Sequence, residues 1–477
     1  MINVFSLPII KDLLKTFGKT ITNHCNKCGS NRFDLILDDI TGKKNKLCVN
    51  CWIHAKLFNQ AASLWLSYFN IKRETLNEIS EITTLRRVLK NMLKGMAIFG
   101  VQMPFITGAP LSIVWNYTKK CNLKCSHCFS DSRFNECSEN ELTTEQAKQV
   151  IDNLAENDVV TVNFCGGEPL TREDLFEVIK YARDNDIYPS ISTNAMLLTK
   201  DACRKLYDGG VRSISISLDS INAKNHDKIR NVPGAFDGAV EGIKTASEFG
   251  KFDELIINTT LTDFTYKEIP QIYEFIKDLG ATRFYVSRIL PTGRGKYFLD
   301  HDVDAEKKRE VMDYMASKFI QNIKESNDMT VLGRGMPYFS RACHDMSNGK
   351  YFPLCEILTG YEPQYQDVFD GKTPKLLHKV TEFLSGCAMG LFYCGLDCDG
   401  NVIPCAPAGE IKLGNILERG LKDIWVNNSE LNRVRERSKV TGKCGTCTGK
   451  KFCGGCRLTA YGLTGDWLAT DLSCPYN

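Results

Sequence analysis

The stretch WNYTKKCNLKCSHCFSDS, residues 115–132, sets Cys121, Cys125 and Cys128 at Cys-x3-Cys-x2-Cys spacing, directly after the apolar, strand-like run Leu111 to Trp115. Three thiolates are one short of the four that normally hold a four-iron, four-sulfur cluster. A cluster on this triplet therefore keeps one iron open for a small ligand, and chemistry is expected at that iron. His127, between the second and third cysteines, is not needed as a ligand.

Outward from the triplet, residues 109–300 alternate strands and helices in the manner of a parallel barrel. The hydrophobic pattern predicts strands at 111–117, 159–164, 187–193, 211–218, 254–262 and 282–288, with helices at 143–156 and 171–185 among the connections. Six such units make a partial barrel, and active residues are expected at the C-terminal ends of its strands. NFCGGEPL follows the second strand. Gly166 and Gly167 there permit close backbone approach, and Glu168 offers a carboxylate to an ammonium group.

The triplet, its spacing and the preceding strand resemble the radical S-adenosylmethionine (SAM) superfamily. The resemblance implies that the open iron chelates the amino and carboxylate groups of SAM, and that reductive cleavage yields a 5'-deoxyadenosyl radical that takes hydrogen from an unreactive carbon. It implies further that Gly166, Gly167, Glu168 and Pro169 form the turn that bonds the SAM amino group, and that His127 packs on adenine. ISTNAML resembles the family's Thr-Asn-Gly signature at Thr193 and Asn194, with Ala195 in place of glycine. Ser215, Ser217 and Asp219 match positions facing ribose and methionine, although strand residues pairing with turns account for them equally well. Asn258 and Arg288 match polar positions near the nucleoside and carboxylate.

A second cysteine-rich block spans 381–477. Cys387, Gly400 and Cys405 are followed by Cys444-x2-Cys447-x5-Cys453-x2-Cys456 and a final Cys474. This resembles the SPASM extension, which binds two auxiliary four-iron clusters; a zinc-binding appendage is the alternative. The resemblance implies one cluster on Cys387, Cys405 and Cys456 with Cys394 as fourth ligand, Cys398 competing, and another on Cys444, Cys447, Cys453 and Cys474. The last interval is two residues where the family usually has three. Between the blocks, 301–380 carry aromatic residues that either line an apolar tunnel or pack between domains.

The first 108 residues open with Cys25-x2-Cys28 and Cys48-x2-Cys51, two knuckles that bring four thiolates to one tetrahedral zinc or iron ion. From Trp52 to Phe99 the pattern turns helical, with Leu64, Leu66, Phe69 and Ile71 in one stretch and Leu85, Val88, Leu89 and Met92 in another. They are read as core-covering helices, with interfacial insertion as the alternative. The chain has 477 residues and a net charge of +3, against a nucleic-acid partner of the usual kind. Residues 1–100 nevertheless hold 15 Lys and Arg against 7 Asp and Glu, which fits an anionic surface such as phospholipid headgroups or a solvated basic face. Met96 to Trp115 is uncharged over 20 residues, but Gly100, Pro104, Gly108 and Pro110 argue for a buried or interfacial loop over a membrane span. The 21 cysteines, in a long chain whose start shows no secretory cleavage pattern, are expected to hold metal and clusters in the cytosol of an organism living with little oxygen.

Taken together, knuckle, uncharged run, radical core and auxiliary block resemble the archaeal tetraether lipid synthase group. That resemblance implies carbon–carbon bond formation between isoprenoid chains of a phospholipid at the inner membrane face, with a reductant such as ferredoxin. A SPASM maturase acting on a ribosomally made peptide is the alternative, and a channel without charge would favour lipid where a polar, edge-strand groove would favour peptide.

Overall fold

Alternation of small polar and branched apolar residues becomes a curved sheet with two unlike faces. The computed structural model describes residues 25–29, 32–40, 48–56, 83–100, 102, 104–325, 329–347, 386–451 and 453–476. The apolar stretch 61–69, Cys355 and the aromatic residues Tyr351, Phe352, Tyr361 and Tyr365 lie outside them.

Strand β1 (Ser112–Thr118) leads into the triplet loop, which is closed by the short parallel pair β2 (Lys120–Cys121) and β3 (Arg133–Phe134). The remaining barrel strands are β4 (Thr161–Gly166), β5 (Tyr188–Thr193), β6 (Ser213–Ser217), β7 (Glu254–Leu261) and β8 (Arg283–Arg288). All six fall within two residues of the expected bounds. The 301–380 segment adds one more parallel strand, β9 (Thr330–Arg334), beyond β8. From the C-terminal block, β10 (Tyr393–Leu396) pairs parallel with the other edge of β1, and β11 (Asn401–Ile403) and β12 (Gly414–Asn415) continue antiparallel. The result is one ten-stranded sheet ordered β12-β11-β10-β1-β4-β5-β6-β7-β8-β9. Three of the expected segments thus share a single sheet.

Residues on the convex face are branched or aromatic. Ile113, Val162, Ile191, Ile214, Ile257 and Phe284 are fully buried in the core cluster shared with the helices, each contributing about 1.5–3 kcal/mol. Helix Thr144–Glu156 begins where the sequence places it, because Thr143 and Gln146 form a reciprocal capping box. The next helix, Leu175–Asp184, follows a 3-10 turn over Pro169–Thr171. Neighbours along each strand point into the concave lumen.

The N-terminal region docks on the outside of this barrel. Helix α1 (Arg32–Ile40) is tied to α2 (Thr83–Phe99) through Arg86, which pairs with Asp34 and Asp38. Arg87 donates to the carbonyls of Val159 and Asn185, and Lys90 and Lys94 pair with Asp158. Three of the fifteen N-terminal cations, Arg87, Lys90 and Lys94, are therefore spent on holding α2 to the loops that precede β4 and β5. The uncharged run after α2 is likewise internal. Gly108 lets it lie against Lys94, where a Cβ would stand 2.3 Å from the lysine Cβ. Ile106 and Leu111 join Val88, Leu391 and Phe392 in a small core. Among the described residues, no helix is long and apolar enough to cross a membrane.

Candidate functional site

The cysteine triplet closes one end of the lumen. Leu123 N donates to Cys121 Sγ at 3.4 Å, the hydroxyls of Ser130 and Ser132 lie 3.4 and 3.3 Å from Cys128 Sγ, and an Arg230 guanidinium nitrogen lies 3.8 Å from Cys125 Sγ. Burial pushes the Cys121 thiol up to about 12 and raises Cys125 as well. A bound cation would displace those protons, since cluster ligands are thiolates. Arg294 fixes the loop from outside by donating to Cys125 O and Ser132 O, and its backbone N–H donates to Cys128 O.

Twelve of the expected SAM-site and triplet residues wall one cavity of about 480 Å³: Cys121, Cys125, His127, Cys128, Gly166, Gly167, Thr193, Asn194, Ser215, Ser217, Asn258 and Arg288. Burial lowers His127 to about 4, so its ring is neutral, and its Nδ1 is buried without a partner. Asn258 Oδ1 and two guanidinium nitrogens of Arg288 are also buried and unpartnered. Such groups are costly unless something bonds them, and a ligand bearing an amine, a carboxylate and ribose hydroxyls fits them.

Glu168, Pro169 and Asp219 stand behind the wall. Glu168 is fully buried and accepts from Leu170 N, Thr193 Oγ1 and Asn194 N at 3.1, 2.8 and 2.7 Å. Desolvation raises it to about 7 against those donors. Its carboxylate thus first locks the Thr193–Asn194 turn to the glycine turn, leaving one lone-pair direction for an ammonium. Ala195, where the family signature has glycine, adopts φ +66°, and its methyl fits because Gly242 opposite has no side chain. Asp219 pairs with Arg230 at 2.7 Å and accepts from Thr260 N, with His127 Nε2 at 3.6 Å. Desolvation works against the ionised form, but Arg230 prevails and Asp219 is lowered to about 2.

Cys387, Cys405 and Cys456 wall the same cavity. Arg437 and Arg457 flank Cys387 electrostatically, and each keeps one buried guanidinium nitrogen without a partner, which fits the sulfides of a cluster. Cys394 is placed differently. It lies on β10 opposite Ile113, fully buried on the helix side of the sheet, while its neighbour Tyr393 faces the cavity. Cys398 lies beyond the strand, with its sulfur on Asp399. The second set converges. Asp471 N donates to Cys444 Sγ, Gly449 N to Cys447 Sγ and Gly455 N to Cys453 Sγ, while Cys474 feels the charges of Cys444 and Cys447. Asp471 also accepts from Cys456 N and lies 3.6 Å from Arg288, joining both cysteine sets to β8.

At the N-terminus the sulfurs of Cys25, Cys28, Cys48 and Cys51 all lie within 4.8 Å of one another, with Cys25–Cys48 at 3.6 Å and Cys28–Cys51 at 3.7 Å. A tetrahedral ion with metal–sulfur bonds of about 2.3 Å needs sulfurs about 3.8 Å apart. The knuckles fit it.

Arg230 and Arg294 contact the triplet loop and Cys165 lines the cavity, and spacing alone marks none of the three. Arg230 ends the polar helix Ala223–Arg230, whose pattern announces only a solvated face; its burial against Asp219 is a tertiary event. Arg294 follows Gly293, where a Cβ would meet Cys128 O at 2.6 Å, so the PTGRG run was the available signal.

The fold and the cysteine loop together define an enzyme class that cleaves SAM on an iron–sulfur cluster. The Radical SAM superfamily model matches residues 115–276, and the SPASM iron-sulfur cluster-binding domain matches 387–448. An AdoMet-dependent heme synthase of Methanosarcina barkeri is 33% identical over 372 residues, covering 78% of this chain and 98% of that protein. The mycofactocin maturase MftC of Mycolicibacterium smegmatis is 28% identical, covering 74% of this chain and 79% of that protein. The crystal structure of Streptococcus suis SuiB bound to precursor peptide SuiA superposes with a TM-score of 0.58 at 19% identity, covering 89% of each chain. This chain belongs to the radical SAM superfamily and carries a SPASM domain, with SAM and four-iron clusters as its cofactors.

Proposed function

We propose that this chain uses a 5'-deoxyadenosyl radical to take hydrogen from a side chain of a ribosomally made peptide or protein, held in the cavity between the two cysteine walls. The observation that carries this is a lumen that reaches a strand edge and carries a band of hydroxyl and amide groups among its apolar residues. Ser112, Asn163, Ser190, Ser192, Ser213 and Ser287 line it beside the SAM-site residues, and Asn163 bonds both Ser190 and Ser192. Among the described residues β9 has a neighbour on one side only, and its Gly333 and Arg334 line the cavity. An extended peptide can add to such an edge by main-chain hydrogen bonds.

Isoprenoid chains, expected from the sequence, would strip this band of hydroxyl and amide groups of water without giving them partners. The uncharged run after α2 packs through Ile106 and Leu111 against Val88, Leu391 and Phe392. The proteins reported above are a heme synthase, a mycofactocin maturase and a fold neighbour bound to a precursor peptide, which also points away from lipid.

When bound, the triplet's cluster supplies the electron that cleaves SAM. The chain's own residues hold the reactant: the Gly166–Gly167 turn admits its amino end with Glu168 behind, Arg288 meets the carboxylate, and Ser215, Ser217 and Asn258 take the ribose face. His127, neutral, stacks and moves no proton.

A tetrapyrrole substrate is the second reading, favoured by the 33% identity that spans nearly all of the heme synthase. The test is anaerobic turnover of the reconstituted protein with SAM and a strong reductant, once with a deuterated random peptide library and once with iron-coproporphyrin III. Deuterium in 5'-deoxyadenosine together with hydrogen loss from peptide supports the first; tetrapyrrole turnover with unchanged peptide replaces it. Cys125→Ala should abolish SAM cleavage in either case.

A further inference from the structure

The structure assigns to Asp471 a shared positioning role: it sets the potentials of both auxiliary clusters together, and through Arg288 it makes them respond to an anion in the SAM carboxylate site. This rests on the two cysteine sets of the C-terminal block holding those clusters and on Arg288 meeting the SAM carboxylate. It goes beyond the proposed function by linking cofactor occupancy to electron supply.

Asp471 is fully buried where three sites meet. Its backbone N–H donates to Cys444 Sγ at 3.4 Å, in one cysteine set, and its Oδ2 accepts from Cys456 N at 2.9 Å, in the other. Its Oδ1 lies 3.6 Å from Arg288 Nη1 and accepts from Ser473 N and Ser473 Oγ at 3.1 and 2.7 Å. Gly455 shows how closely this corner is packed, since a Cβ there would stand 2.9 Å from Asp471 Cβ and 2.9 Å from Cys444 Sγ. Cys453 and Cys474, in the same set as Cys444, feel the aspartate charge on top of their own burial. One side chain therefore reaches both cluster sites and the wall of the SAM cavity.

Charge gives the arrangement its effect. The potential of an iron–sulfur cluster follows the local charge and the hydrogen bonds to its sulfurs, so a fixed carboxylate beside two clusters opposes the reduction of each. Arg288 offsets that carboxylate. The two side chains are 1% and 0% exposed, so the field between them is little screened. Arg288 also lines the cavity, with Nε and Nη2 buried and without partners. An anion bonded to those nitrogens adds one negative charge to the trio of Asp471, Arg288 and cluster.

The direction follows. With the carboxylate site filled, the auxiliary clusters become harder to reduce, and an electron from the reductant is less readily captured by them while SAM is in place. By reciprocity, protein with a reduced auxiliary cluster binds the carboxylate ligand more weakly by the same factor. Couplings between sites usually amount to about 5–150-fold. A tenfold effect here corresponds to about 59 mV for one electron.

The test uses full-length reconstituted protein and S-adenosylhomocysteine, which keeps the amine and carboxylate of SAM and lacks the sulfonium that is cleaved. Cluster midpoints are read by electron paramagnetic resonance at poised potentials. Saturating S-adenosylhomocysteine should lower the auxiliary midpoints by the tenfold equivalent, about 59 mV. The same nucleoside without its carboxylate, at a concentration that calorimetry shows to saturate, should leave them in place. Asp471→Asn, of nearly equal size, should raise both auxiliary midpoints in ligand-free protein and leave the triplet midpoint unmoved, whereas a merely structural aspartate would cost iron or melting temperature without that paired rise. A rise in one auxiliary midpoint alone, or in neither, would overturn the shared role. Wild-type midpoints indifferent to S-adenosylhomocysteine would overturn the coupling whether or not the variant folds. Arg288→Gln separates the underlying reading: if it binds S-adenosylhomocysteine as tightly as wild type, Arg288 does not meet the carboxylate and the coupling falls with it, while the paired rise in Asp471→Asn still decides the tuning role. Peptide turnover by protein whose auxiliary midpoints ignore both ligand and variant keeps the proposed function and loses this inference.

Discussion

Gly167→Ala probes the contact on which the SAM site depends. A Cβ at this position would lie 2.0 Å from Lys120 O and 2.6 Å from Lys120 C, backbone atoms adjoining Cys121. No side-chain rotation relieves that, so the glycine turn must retreat by about 1 Å or more to regain ordinary contact. Retreat strains two hydrogen bonds, Gly167 N to Thr118 O at 2.7 Å and Glu168 N to Lys120 O at 2.8 Å, worth about 1 kcal/mol each. Overpacking adds about 1–3 kcal/mol. The sum is about 3–5 kcal/mol, to be read against two controls. Gly465→Ala, at φ +74° with nothing within 4 Å, should cost only the left-handed penalty of about 1–2 kcal/mol. Gly409→Ala, in open space, should stay within about 0.5 kcal/mol. Thermal melting of the reconstituted proteins, with SAM cleavage measured in parallel, should rank them in that order, and Gly167→Ala should also lose cleavage. If Gly167→Ala melts with Gly409→Ala and cleaves SAM normally, the glycine turn is not held against the triplet as described.

Glu168, raised to about 7 by burial, should make SAM affinity climb by about tenfold per pH unit below about 7 and level off above it, because the ammonium prefers the ionised carboxylate; calorimetry on wild type and Glu168→Gln should give a rising and a flat profile, and a flat wild-type profile would sink the assignment. The sign for stability is opposite: the ionised form is the disfavoured one in the fold, so the ligand-free protein is relieved of this cost below the ordinary carboxyl range and loses stability as pH rises through about 7. Arg230→Met leaves Asp219 buried beside only neutral imidazole, and should cost about 3–5 kcal/mol in denaturant unfolding, with much of the loss recovered by adding Asp219→Asn; additive losses would refute the pairing. Cys28→Ser should release the knuckle metal and lower the melting temperature while auxiliary iron is retained, and full metal loss without a melting change would show that the knuckle does not brace the fold.

What could be read from the sequence was whatever is local. The triplet, the paired knuckles and six strands within two residues of their observed bounds are carried by spacing and period, which survive without knowledge of neighbours. The misplacements are all matters of partnership. Whether Cys394 or Tyr393 faces the lumen depends on how β10 registers against β1, nearly three hundred residues earlier, and parity flips with a single slip. Part of the basic N-terminal excess looked like a surface because Asp158 and the carbonyls of Val159 and Asn185, which meet Lys90, Lys94 and Arg87, come beside them only in the fold. Glu168 reads as a free carboxylate until Thr193 and Asn194 are seen to cap it. The band of hydroxyls in the lumen emerges only after every second residue of several strands is turned to one side, so a lipid substrate inferred from the knuckle, uncharged run, radical core and auxiliary block together was drawn without it.

The pairing of β10 with β1 also has a consequence in time. Trp115 Nε1 donates to the carbonyl of Asp397, 282 residues further along. At about 5–20 residues per second of synthesis, β1 waits roughly a quarter of a minute to a minute for the strand that covers its outer edge. Through that interval the nascent chain offers a bare strand edge beside three unprotected thiols, in a segment prone to wrong pairing. Until β10 arrives, the three thiols of the triplet and the bare edge of β1 are exposed together in the nascent chain.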